Sequence, residues 1–129
     1  MAKFISITPN LMVKKVSKSI EFYRNKLGFH VAMSVPDDGE SCVWAMMECG
    51  QVVIMLQDSK TLKAEYDVLD ANADKKTLSL FIKIEDLDEY FEKIASHVDV
   101  LKEPSITPYG MKEFAIIDPD GYVLTFAEE

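Results

Sequence analysis

The chain has 129 residues, 48% of them apolar and 28% charged, with a net charge of −8. That is long enough for one packed core and ordinary for a globular protein. No apolar run approaches the ~20 residues of a membrane helix. The acidic balance argues against nucleic acid, whose binding rests on basic patches, and against anionic membrane surfaces. The opening Met1-Ala2-Lys3-Phe4-Ile5-Ser6 turns polar too soon for a signal peptide, so a cytoplasmic location is expected.

Residues 4–13 read as a strand, with Pro9 marking an edge, a bulge or an end. Val16, Ile20, Tyr23 and Leu27 recur at helical spacing, which predicts a helix over 16–27 closed by Gly28. A strand over 29–35 ends at Pro36-Asp37-Asp38-Gly39, and strands over 41–48 and 52–57 flank Gly50-Gln51. Residues 58–76 are polar and read as a connector with a short helix, which either spans two halves or covers a pocket mouth. A strand over 77–84, a helix over 86–95 and a short strand over 98–102 follow. The run 103–110 reads as a loop. Residues 111–117 and 122–127 form a hairpin around Asp118-Pro119-Asp120-Gly121, whose Pro and Gly suit a tight turn. Cys42 and Cys49 fit no metal or redox spacing and are expected to be free thiols.

A shift of 71 positions superposes Val13 on Ile84, Val16 on Leu87, Ile20 on Phe91 and Tyr23 on Ile94. An internal repeat of this kind sets the architecture. It predicts an α+β fold of two β-α-β-β-β modules in a single domain, about 1–58 and 77–129, joined by a connector over 59–76. One helix covers one face of each sheet, and the other faces build a curved, cup-shaped mixed sheet with a pocket on its concave side.

The segment Val16-Ser17-Lys18-Ser19-Ile20-Glu21-Phe22-Tyr23 with Leu27-Gly28-Phe29, and the hairpin Asp118-Pro119-Asp120-Gly121-Tyr122, resemble the vicinal oxygen chelate superfamily. That group includes glyoxalase I, extradiol dioxygenases, fosfomycin-modifying enzymes and bleomycin-resistance proteins, on the glyoxalase/bleomycin resistance fold. The resemblance covers essentially the whole chain. It implies a divalent metal held by His and Glu from the first and last strand of each module. Those four positions fall here on Thr8, Met55, Ser79 and Thr125. Neither a hydroxyl nor a thioether replaces imidazole or carboxylate on such an ion. His30 and His97, the two histidines, map away from the cup floor. No metal, no other cofactor and no catalytic residue are therefore expected.

Strand parity assigns the concave face. Pairing Cys49 with Val52 sets Met46 opposite Met55 and Trp44 opposite Gln57. Taking Asp118–Gly121 as the turn sets Phe114 opposite Thr125. The concave face is expected to carry Cys42 and the ligand-binding residues Asn10, Met12, Trp44, Met46, Met55, Gln57, Ser79, Phe81, Lys83, Lys112 and Phe114, with Tyr109 at the rim. Aromatic faces and adaptable methionines suit a planar or amphipathic ligand. Lys83 and Lys112 on that face disfavour a cationic one. The expectation is a metal-independent protein that binds a small hydrophobic or aromatic molecule, similar to the drug-sequestering bleomycin-resistance group, as a homodimer. Two alternatives stay open: a metal-dependent lyase, isomerase or dioxygenase with its ligands elsewhere, and a non-catalytic interaction domain with a filled cup.

Overall fold

The computed structural model describes residues 1–69 and 76–129. The chain divides into two compact units, Met1–Ala71 and Asn72–Glu129. Each carries one four-stranded mixed sheet, so the class is α+β, as the sequence implied. Residues 70–75 of the expected connector lie outside the described residues.

In the first unit the order is β1 (Asn10–Val13), α1 (Val16–Glu21), a π-helical continuation over Phe22–Leu27, β2 (His30–Val35), β3 (Trp44–Cys49), β4 (Val52–Asp58) and α2 (Ser59–Glu65). The sheet runs β1-β4-β3-β2, with β1 parallel to β4 and the other pairs antiparallel. Alternation decides what each face does. Leu11, Val13, Ala45, Met47, Ile54 and Leu56 share one face and are buried. Val16, Ile20, Tyr23 and Leu27 from the helix are buried with them. The Tyr23 ring meets Phe22 and Phe29 edge-on, with centroids 5.2 and 5.6 Å apart. Gly28 ends the helix at φ 92°, a left-handed conformation that glycine adopts without a Cβ penalty.

The expected strand over 4–13 forms only from Asn10. Pro9 lacks an N–H and can only accept, which it does from the Met55 N–H at 2.8 Å, so the ladder stops there. Phe4, Ile5 and Ile7 before it are exposed. The connector helix starts as α2 at Asp58, whose carboxylate accepts from the Thr61 N–H at 2.7 Å as an N-cap.

The second unit runs β5 (Ser79–Lys83), α3 (Leu87–Ile94) with a 3-10 turn over Ala95–His97, β6 (Asp99–Ile106), β7 (Lys112–Ile117) and β8 (Val123–Glu128). Its sheet order, β5-β8-β7-β6, repeats that of the first unit. Ile82, Leu124, Phe126, Phe114 and Ile116 are buried together with Leu87 and Ile94 of α3. Glu128, near the end of β8, caps α3: its two carboxylate oxygens accept from the N–H groups of Asp86 at 2.8 Å and Leu87 at 3.2 Å. The strand expected over 98–102 continues to Ile106, through what the sequence reads as a loop. β6 is an edge strand and pairs irregularly around Lys102 and Ser105, where Pro104 is tolerated.

The last hairpin differs from its expected register by one residue. Ile117 pairs with Val123, so Phe114 stands opposite Phe126 and Thr125 opposite Ala115. The cause is Asp118. Its buried carboxylate accepts from the N–H groups of Asp120 and Tyr122, both at 2.9 Å, and its own N–H donates to the Tyr122 carbonyl. Tyr122 is thereby held in the loop and does not open the strand. A one-residue slip moves every side chain of a strand to the other face.

Candidate functional site

On the uncovered face of the first sheet, Asn10 pairs with Met55, Met46 faces Met55, and Gln57 has Met12 on one side and Trp44 on the other. These six side chains thus share one face. Met33 and Val35 of β2 extend it, both about half exposed. Cys42 precedes β3 and is buried, its thiol donating to the Trp44 carbonyl. Cys49 is exposed, and both cysteines are free.

Gln57 is the buried polar group of this face. Its amide carbonyl accepts from the Asn10 side chain at 3.0 Å. Its NH₂ donates to the Thr61 hydroxyl at 3.2 Å and the Glu65 carboxylate at 3.0 Å. The connector helix α2 therefore reaches onto this face, and Thr61 and Glu65 join it without having been expected. Their i, i+4 spacing in a helix that begins beside Gln57 is the sequence signal for them.

The second sheet changes the expected list. Ser79, Phe81 and Lys83 do lie on its uncovered face, beside Val123, Thr125 and Ala127. Phe81 is half exposed, and Lys83 pairs with Glu129 at 2.8 Å, which holds the Glu129 carboxyl below its ordinary range. Phe114 and Lys112 are on the opposite face. The Phe114 ring packs on Phe91 and Phe126, both 5.0 Å away, and the Lys112 ammonium sits 2.7 Å from Asp88 of α3. The one-residue slip of the hairpin is the reason. It brings Glu113 and Ala115 to the uncovered face instead. Tyr109, expected at the rim, is exposed and donates its hydroxyl to Glu113. That bond stabilises the neutral phenol and raises its pKa. Glu113 was missed, yet a signal existed. Phe114/Ile116 and Leu124/Phe126 are two apolar pairs at period two, and matching them to each other gives the observed register.

A cavity of about 210 Å³ opens on this face, lined by Lys102, Ser105, Thr107, Glu113, Ala115 and Thr125 among others. The four positions matched to metal ligands do not fit a divalent ion. Thr8 and Met55 in one unit, and Ser79 and Thr125 in the other, offer hydroxyls and a thioether but no imidazole or carboxylate. Among the described residues, no three His, Cys, Asp or Glu side chains gather. His30 is exposed with its Nε2 3.7 Å from Glu48, and His97 is exposed on the 3-10 turn.

Two β-α-β-β-β units of matching strand order define the class to which comparison with known proteins also leads. The model of the Glyoxalase/Bleomycin resistance protein/Dioxygenase superfamily matches residues 5–126. The chain belongs to that superfamily. No curated protein matches the sequence. Among solved structures, a protein of unknown function from Agrobacterium tumefaciens str. C58 is similar with a TM-score of 0.81 at 20% identity, covering 100% of this chain and 97% of that one. TioX from Micromonospora sp. ML1 is similar at TM-score 0.78 and 16% identity, covering 97% and 98%. A bleomycin-binding protein complexed with bleomycin is similar at TM-score 0.70 and 20% identity, covering 98% and 99%. At such identities these likenesses concern the fold.

Proposed function

We propose that the chain is a metal-independent binding protein for a small hydrophobic or aromatic molecule, working as a homodimer. The observation that carries this reading is the uncovered face of the first sheet. Trp44, Met12, Met46 and Met55 lie there at intermediate burial, neither packed away like Met47 on the other face nor fully in water. Indole and thioether side chains form a surface that adapts to planar ligands without directional bonds. The non-ligating residues at the four family metal positions support binding over metal chemistry. The bleomycin complex of one structural neighbour supports a small molecule as partner.

Trp44 is the single tryptophan and reports directly. Titration with a library of planar aromatic compounds is expected to change its fluorescence, and Trp44→Ala to abolish binding of any compound found. Binding that survives Trp44→Ala unchanged refutes this placement. Light scattering at micromolar concentration is expected to give twice the chain mass; a monomer refutes the dimer.

A further inference from the structure

An irregularity in β2 decides where Met33 points. Val31 pairs with Met47 of the helix-covered face, and strict alternation would send Met33 to that face too. The register shifts between Val31 and Met33, so Ala32 is an extra residue and Met33 comes opposite Met46 on the uncovered face. Met46 in turn stands opposite Met55. Three methionines from three adjacent strands thus form one rung. We infer that this rung is a binding site for a soft monovalent metal ion, copper(I), held by the thioether sulfurs of Met33, Met46 and Met55. The site lies within the first unit alone. It goes beyond the binding of an organic molecule, which needs no ion.

Reach favours it. Residues directly opposite in a ladder have Cβ atoms about 4.5–5.5 Å apart, and a methionine, with three rotatable bonds, turns its sulfur toward a point above the middle residue. Donor chemistry favours it as well. Thioethers are soft ligands that select copper(I), so the Met55 that does not suit an ion held by imidazole and carboxylate suits this one. The sulfurs are also open to solvent. Met33 is 58% exposed, and Met46 and Met55 are half-buried, whereas Met47 on the other face is fully buried. The second sheet provides a comparison. Its β6 has the same one-residue shift between Val100 and Lys102, and the equivalent rung there is Lys102, Ala115 and Thr125. The fold builds this rung in both units and does not demand sulfur in it. The surroundings suit a cation too. Glu48 follows Met46 on the same face of β3, Trp44 precedes it with an indole that attracts positive charge, and no ladder position of that face is Lys or Arg.

Silver(I) is the probe, since it has the charge and softness of copper(I) and needs no reductant. It is titrated in chloride-free buffer into protein labelled with ¹³C at the methionine methyls. Cys42→Ser and Cys49→Ser keep the two free thiols from taking the ion, and a serine at 42 retains a donor for the Trp44 carbonyl. One ion per chain is expected. The methyl signals of Met33, Met46 and Met55 should shift together, that of Met111 should stay, and Trp44 fluorescence should fall. Met46→Leu conserves volume and is expected to weaken the ion at least about tenfold, a loss that even outer-shell partners of a metal produce. Met111→Leu is expected to leave it unchanged. Should the double cysteine variant fail to fold, Cys49→Ser alone is read by the same three signals, because the remaining thiol is buried. No shift at micromolar silver(I), a shift of only one rung methyl, full affinity in Met46→Leu, or an equal response to zinc(II) overturns the site. The aromatic titration described above is unaffected by any of these results, so the two readings fail separately.

Discussion

Replacing Asp118 by alanine tests the feature that sets the register of the second sheet. The side chain is 5% exposed and accepts from two backbone N–H groups, each at 2.9 Å. Hydrogen bonds to a charged group contribute about 1.5–3 kcal/mol each, and two bonds to one carboxylate are less than additive, so a loss of about 3 kcal/mol is expected. Unfolding entropy near 60 °C is about 2.1 cal/mol/K per residue, so for a chain of this length each kcal/mol lowers Tm by about 4 °C. Asp118→Ala should therefore melt about 11 °C below the parent in far-UV circular dichroism. Asp118→Asn retains an acceptor oxygen and should lose about half as much. A decrease of less than about 3 °C for the alanine variant would show that the loop holds its register without Asp118, and that the slip has another cause.

Phe114→Ala should destabilise the protein by about 3–5 kcal/mol, because a buried ring is removed from the helix-covered face. Chemical denaturation measures this, and a loss below about 1 kcal/mol would return Phe114 to the ligand face. Tyr109 should ionise above its ordinary value near 10, since its bond to Glu113 favours the neutral phenol. The stability from that bond is present below the ordinary pKa and is lost as pH rises through the raised one. Ultraviolet titration of Glu113→Gln should show one tyrosine returning to a lower pKa, and an unchanged titration curve contradicts the contact. Gly28→Ala should cost about 1–2 kcal/mol through its positive φ alone, since a Cβ at that position meets nothing within 4 Å. A neutral substitution, read from the melting temperature, would refute a backbone cost there.

The first module was almost fully legible in the sequence. Its hairpin at Gly50-Gln51 has a two-residue turn, and two residues leave the register no freedom, so Trp44, Met46, Met55 and Gln57 fell on the expected face. The second hairpin turns on a longer loop whose length is set by a side chain. Pro119 and Gly121 announce the turn but do not say how many residues it holds; the Asp118 carboxylate decides that. The resulting error exchanged Lys112 and Phe114 for Glu113 and Ala115. The first strand was overread for a different reason. Phe4, Ile5 and Ile7 have strand propensity, but propensity gives no hydrogen-bond partner, and Pro9 ends the ladder. The role of Glu65 was hidden because a polar helix reads as a connector until Gln57 is seen to need two acceptors.

Gln57 spends both amide hydrogens on α2 and its carbonyl on Asn10. The one polar group set deep in the first module's uncovered face is thus a brace between strand and helix, with no donor left to read a ligand's functional groups. Beyond Gln57 and its partners Asn10, Thr61 and Glu65, that face around Trp44 presents sulfur, indole and hydrocarbon, which sort molecules by outline. Recognition there is consequently forgiving. A family of analogues that share a flat apolar part and differ in their substituents should bind this face with closely similar affinities.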